Sequence, residues 1–175
     1  SLPNADVEIA NSGSIDAGGD VHLVGSIDAL ALNSAMNASV HVANSGDIAA
    51  SGDVFLSAMA SFSGPAPNID VLNDGSIIAD GSVMFFAESG DITNSGFVSA
   101  GQAFTAEASN GSIFNSGTIV AGANGSLFAD GNITNSGSIS VDGVALLDAG
   151  NDIDNSGSVS AGGDAILTAV NDILD

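Results

Sequence analysis

Apolar and polar residues alternate along the chain in short bursts, each closed by Gly, Asn, Asp or Ser: Ile15-Asp16-Ala17, Val21-His22-Leu23, Val54-Phe55-Leu56 and Ile139-Ser140-Val141 show the pattern. Alternation with period two is the mark of a strand with one buried face. The bursts are too short and too rich in Gly and β-branched residues for helices, so the pattern predicts an all-β protein of short, turn-punctuated strands.

The bursts repeat in a fixed frame. Asn-Ser-Gly or Asn-Asp-Gly occurs seven times, beginning at Asn11, Asn44, Asn73, Asn94, Asn115, Asn135 and Asn155, with spacings of 33, 29, 21, 21, 20 and 20 residues. Four positions after each Asn stands a β-branched aliphatic residue: Ile15, Ile48, Ile77, Val98, Ile119, Ile139 and Val159. Two positions further stands Ala17, Ala50, Ala79, Ala100, Ala121, Val141 or Ala161, where a coil must narrow or turn. A second strand carries Val21-x-Leu23, Val54-x-Leu56, Val83-x-Phe85, Phe104-x-Ala106, Leu127, Leu147 and Leu167. A third passes through Ile9, Val42, Val71, Ile92, Ile113, Ile133 and Ile153, two residues before each Asn.

Periods of this length with strand patterning predict a parallel β-helix, or β-solenoid, of about seven coils of 20–33 residues with three short strands per coil. The whole of 1–175 reads as one solenoid domain, with enlarged coils over 1–72 and regular coils of 20–21 residues over 73–175. Each Asn-x-Gly is expected to form a corner, with Gly tolerating positive φ and Asn the left-handed region. Stacked Asn side chains are expected to form a structural amide ladder.

The first two spacings exceed a 20-residue coil by 13 and 9 residues, and the surplus falls in Ala29–Ala43 and Met59–Leu72. Both enlarged coils end in sequences similar to the amino-terminal Leu2–Asn11, so the chain opens inside such a coil. Joining Asp175 to Ser1 of a second copy would make a coil of 31 residues, between the two enlarged spacings. The segment therefore reads as one unit of a tandem array, or one subunit that stacks head to tail. No charged-then-apolar leader and no membrane-length apolar run occurs, and the segment reads as mature or excised from something longer.

Charge narrows the partners. There is no Lys or Arg against 21 acidic residues, for a formal charge of −21, which leaves no electrostatic basis for binding nucleic acid or anionic lipid. An extended rod disperses such charge better than a sphere. The chain also offers no cationic side chain to a trypsin-like protease, which suits a durable extracellular material. With no Cys, a disulfide framework and thiolate zinc sites are excluded.

The run Asn-Ser-Gly-Ser-Ile-x-Ala-Gly-Gly-Asp-Val-x-Leu at Asn11–Leu23, with its relative at Asn155–Leu167, resembles the haemagglutinin repeats of the filamentous haemagglutinin family, bacterial exoproteins exported by two-partner secretion. The resemblance covers nearly the whole chain and is clearest over 73–175. It implies a right-handed parallel β-helix shaft at the cell surface, serving adhesion or cell contact. The chain departs from the family in lacking Lys and Arg and in its enlarged coils.

No convergent set of catalytic groups stands out, and no enzymatic activity is expected. Asp152 with Asp154, or Asp70 with Asp74, could be cast as paired carboxylates of a polysaccharide-cleaving β-helix, yet Asp152 and Asp154 fit repeat positions and read as solvated decoration. His22 and His41 alternate with inward aliphatics and should point outward. Asp20, Asp53 and Asp164 share one column, where stacked carboxylates repel unless protonated or bridged by a hard cation such as calcium. Glycosylation acceptor patterns begin at Asn37, Asn110, Asn124 and Asn132, and the five Thr residues share no column of the kind an ice-binding face needs.

The function these features predict is mechanical: a structural subunit or segment of an extracellular, polyanionic filament or adhesin stalk whose partner is another copy of itself. The alternative is a binding module that recognises a surface glycan or a neighbouring filament through its enlarged coils.

Overall fold

A computed structural model describes residues 4–28, 37–61 and 68–175, which form strands and tight turns with no helix. The first coil runs through β1 (Asn4–Asn11), β2 (Ser14–Ala17) and β3 (Val21–Asp28), the second through β4 (Asn37–Asn44), β5 (Asp47–Ala50) and β6 (Val54–Ser61), and the third through β7 (Asn68–Asn73), β8 (Ser76–Ala79) and β9 (Val83–Ala87). The regular coils follow as β10 (Ile92–Asn94), β11 (Phe97–Ala100) and β12 (Phe104–Ala108), then β13 (Ile113–Asn115), β14 (Thr118–Ala121) and β15 (Gly125–Ala129). The last are β16 (Ile133–Asn135), β17 (Ser138–Val141) and β18 (Ala145–Ala149), then β19 (Ile153–Asn155), β20 (Ser158–Ala161), β21 (Ala165–Ala169) and β22 (Ile173–Leu174).

Every third strand joins the same sheet. The first sheet has eight strands, from β1 to β22, and the other two have seven each, from β2 to β20 and from β3 to β21. All pairings are parallel and in register, with Asn11 beside Asn44, Ile15 beside Ile48 and Leu23 beside Leu56. The chain is a parallel β-helix of about seven coils with three strands per coil.

The core is a set of columns running along the axis. Ile48, Ile77, Val98, Ile119 and Ile139 are all buried, as are Leu56, Phe85, Leu127 and Leu147. Parallel strands lie about 4.8 Å apart, so an aliphatic side chain rests on its counterpart one coil away. Large residues are staggered against small ones: Phe85 lies beside Ala106, and Phe104 beside Gly125. That stagger lets the two rings meet edge to face, with centroids 5.4 Å apart, without overfilling either column.

The enlarged coils differ from the expectation. Part of the assigned surplus is strand: Val40 and Val42 on β4 and Ile69 and Val71 on β7 are core residues. The extra length widens two sheets, since β1, β3, β4 and β6 have eight residues each where the regular coils use three to five. The remaining surplus, 29–36 and 62–67, lies outside the described residues. Excising Ala29–Ala43 would thus remove most of a core strand.

Candidate functional site

The most ordered chemistry of the rod lies along its axis. Each corner Asn is buried, and its Nδ2 donates to Oδ1 of the next: Asn11 to Asn44, Asn44 to Asn73, Asn73 to Asn94 and Asn94 to Asn115 at 2.8 Å, then Asn115 to Asn135 and Asn135 to Asn155 at 2.7 Å. Every rung points the same way along the chain. An amide suits this position because it donates and accepts on one planar group, so each buried side chain is satisfied by its two neighbours. Asn155 makes the last donation to Oδ1 of Asp175 at 2.5 Å.

The glycines beside this ladder require a correction. Among the described residues no Gly has positive φ, and the single non-Gly residue that does is Asn110 at 66°. The corner selects Gly for closeness. A Cβ on Gly46, Gly75, Gly96, Gly117, Gly137 or Gly157 would lie 2.0–2.2 Å from the carbonyl oxygen of the corresponding Gly one coil earlier. That carbonyl accepts a backbone N–H from the next coil, as when Asp47 donates to Gly13 at 2.8 Å, so it cannot turn aside. At Gly13 a Cβ would meet nothing within 4 Å, because no earlier coil lies beneath it among the described residues.

Two further columns use short polar side chains as axial staples. Asp20 accepts the N–H of Asp53 at 2.9 Å, Asp53 accepts that of Ser82 at 2.7 Å, and Asn124 accepts that of Val144 at 2.9 Å. On the first sheet, Asp70 accepts from Asp91, Asp91 from Ser112, Ser112 from Asn132, Asn132 from Asp152 and Asp152 from Asp172, at 2.8–3.2 Å. Sequence reasoning read Asp152 as decoration and Asp20 and Asp53 as cation ligands. The detectable signal was the recurrence of Asp, Asn or Ser immediately before a strand, a position where a side-chain oxygen can satisfy the backbone.

The structure places Asp20 and Asp53 on adjacent coils, while Asp164 lies six coils from Asp20 at the opposite end of the column. No group of three His, Cys, Asp or Glu among the described residues could hold a metal ion. His22 is exposed beside Phe55, with ring centroids 5.8 Å apart, and His41 Nδ1 lies 3.5 Å from an Asp70 carboxylate oxygen. Asp74 receives the Ser95 hydroxyl instead of facing Asp70. Glu8, His41, Asn68, Asp70, Leu72 and Thr93 line part of a shallow groove on the first sheet.

Core columns are only partly covered at both ends of the described rod, and at the far end the first sheet runs one strand beyond the other two. Val7, Ile9, Ile15, Ala17, Leu23 and Ile27 at one end, and Val159, Ala161, Leu167 and Ala169 at the other, are only partly buried although they continue core columns. Asp164 and Asp172 stand in staple columns, and among the described residues no later coil donates to them. No protein-family model, curated protein or solved structure matches the chain, so its relation to known proteins rests on the architecture itself: a parallel β-solenoid, the kind of shaft that repeat adhesins use.

Proposed function

We propose that this chain is a structural subunit or segment of an extracellular filament or adhesin stalk, extended by stacking end to end so that each sheet continues into the next unit. The observation that carries the reading is the match between the two open ends. Laying β1, β2 and β3 of one copy on β19, β20 and β21 of another, with β1 taking the place of the short β22, sets Ile9 over Ile153, Ile15 over Val159 and Leu23 over Leu167, like over like in all three core columns. The same placement brings the N–H of Asp20 to Asp164 and that of Glu8 to Asp152, where the N–H of Asp172 otherwise donates, continuing both staple columns.

The extracellular and adhesive parts rest on the resemblance of Asn11–Leu23 to haemagglutinin repeats and on the absence of Lys and Arg. The two-partner-secretion origin rests on that resemblance alone. A net charge of −21 would hold parallel rods apart laterally while leaving axial contacts, which are backbone and apolar, free to form. No enzymatic activity is proposed.

Gly13→Ala tests the stacking. The new methyl meets nothing within the unit, yet in a stack it would strike the carbonyl of Gly157, as it would at each internal Gly of the column. The variant should fold with an unchanged Tm and fail to form the fibres that the parent forms, as seen by electron microscopy with an axial spacing of about 4.8 Å. Fibres of the variant equal to those of the parent would refute the reading.

A second reading has one observation in its favour. The groove lined by Glu8, His41, Asn68 and Asp70 lies on the enlarged coils, and its carboxylates and amide could accept and donate hydrogen bonds to a glycan. Since excising the enlarged coils would remove core strands, His41→Ala with Asn68→Ala is the better probe. Loss of binding on a glycan array, with folding retained, would support this module.

A further inference from the structure

We infer that stacked rods pair side by side through the outer face of the second sheet, so that the lateral partner of a rod is a second rod of the same chain. The inference rests on the end-to-end stacking proposed above. On this face each strand turns alternate side chains outward, and from β8 to β20 all of them are Ser, Thr or apolar. Ile78, Phe97 and Val120 are large and exposed. Ile78 and Val120 flank Ser99 on the two neighbouring coils, and Phe97 lies on the same strand as Ser99, so three apolar groups surround one serine. The result is an uncharged strip five strands long on a regular parallel sheet.

Charge selects the occupant. The same two outward columns continue into β2 and β5 as Asp16 and Asp47, so the fold admits an acid there, yet five successive strands carry none. Acids interrupt the outer faces of the other sheets: Glu8, Asp70 and Asp154 on the first, Glu107 and Asp148 on the third. A lateral contact through those sheets sets carboxylate against carboxylate, with no Lys or Arg to pair them. Strip against strip lets two such polyanions bury apolar groups without burying a charge. Asp74, Asp80, Asp142 and Asp164 border the strip at its corners, where they are exposed and salt screens them.

Area sets when the pairing occurs. Strands of four residues at about 3.3 Å per residue, stacked five deep at about 4.8 Å, give a strip of roughly 300 Å² per unit. A stable interface buries about 800 Å² on each partner, so single units stay apart. Stacking in register repeats the strip along one side of the rod, and about three units in line reach the required area. Lateral pairing therefore follows stacking. It also brings Asp16 and Asp47 of one rod opposite those of the other, which opposes the contact near each joint.

The test images fibres by electron microscopy and follows bundling by light scattering, with circular dichroism to confirm folding. The parent should form paired or bundled rods. Thr118→Asp and Ser140→Asp place an acid in the columns of Asp47 and Asp16, which the fold already accepts, and should give single rods of unchanged axial spacing. Thr134→Asp adds the same charge on the first sheet, beside Asp154, and should bundle like the parent. Asp16→Asn combined with Asp47→Asn lengthens the strip and should bundle at a several-fold lower protein concentration. If Thr134→Asp disperses bundles as far as Thr118→Asp, net charge governs association and the strip is overturned. Parent rods that stay single, including rods whose strip is taken up by a glycan on an array, overturn the pairing while the stack stands. If no rods form, the stacking reading fails and the pairing falls with it.

Discussion

Asn73 donates through Nδ2 to Oδ1 of Asn94 at 2.8 Å across 21 residues of chain, and both side chains are buried. Asn94 passes the same bond on to Asn115. Removing the middle member therefore leaves one buried donor and one buried acceptor without partners. Asn94→Ala should lower stability by about 2–5 kcal/mol, since each buried unsatisfied group costs about 1–3 kcal/mol. Denaturant titration would measure this, and a loss under about 0.5 kcal/mol would mean that water or a shift of the turn replaces the rung.

Asn94→Asp adds a pH signature. The carboxylate would accept from Asn73 but face the oxygen of Asn115, so burial and repulsion raise its pKa in the folded chain above the unfolded value of about 3.9. Stability is then retained below about pH 4 and is lost progressively as pH rises toward the folded-state pKa. Melting temperature followed against pH should show the variant diverging downward from the parent. Parallel curves would count against the ladder's polarity.

The Gly column predicts a sharp contrast along one chain. Gly96→Ala would drive a methyl to 2.0 Å from the Gly75 carbonyl and should unfold or severely destabilise the rod, whereas Gly13→Ala in an isolated unit should not. Circular dichroism of the two variants in dilute solution decides it. Equal tolerance at both positions would show that the coils can spread to admit a side chain.

Asp53 separates a staple from a cation site. Asp53→Asn keeps the oxygen that accepts the Ser82 N–H and should change stability by less than about 0.5 kcal/mol, while Asp53→Ala should cost about 1 kcal/mol. Chelator should leave the Tm of the parent unchanged. A large loss in Asp53→Asn together with a chelator-sensitive Tm would restore the cation reading of this column.

Leu127 and Leu167 share a column but not an environment: the first is fully buried, the second partly exposed at the open edge. Leu127→Ala should cost about 2–5 kcal/mol and Leu167→Ala clearly less in an isolated unit. In assembled fibres the two should converge, because stacking would bury Leu167 under Leu23 of the next copy. A Leu167→Ala cost unchanged by assembly would count against that contact.

The columns were legible because a parallel solenoid copies its register into the sequence: Ile15, Ile48 and Ile77 share a chemical demand only because they share a neighbour. The reason for Gly at the corner was not legible, since sequence shows that Gly recurs but not that a carbonyl from the preceding coil occupies the place of its Cβ. The staple role of Asp20 and Asp152 was hidden for a similar reason, as their partners are backbone amides and leave no trace in side-chain identity. The surplus in the enlarged coils was visible as length, but the lengthened β4 also carries Asn, Ser and His, which obscured its extent.

The uniform direction of the Asn rungs limits the symmetry of any assembly these surfaces build. All strands run parallel and all amides donate the same way, so the two faces of a unit are unlike, and a two-fold axis between copies would set donors against donors and parallel edges antiparallel. Such a contact is heterologous, and a straight stack never returns to its starting point. If copies stack end to end as proposed, closed dimers are disfavoured and open polymers of indefinite length are favoured, with two chemically distinct ends at which growth can proceed at different rates.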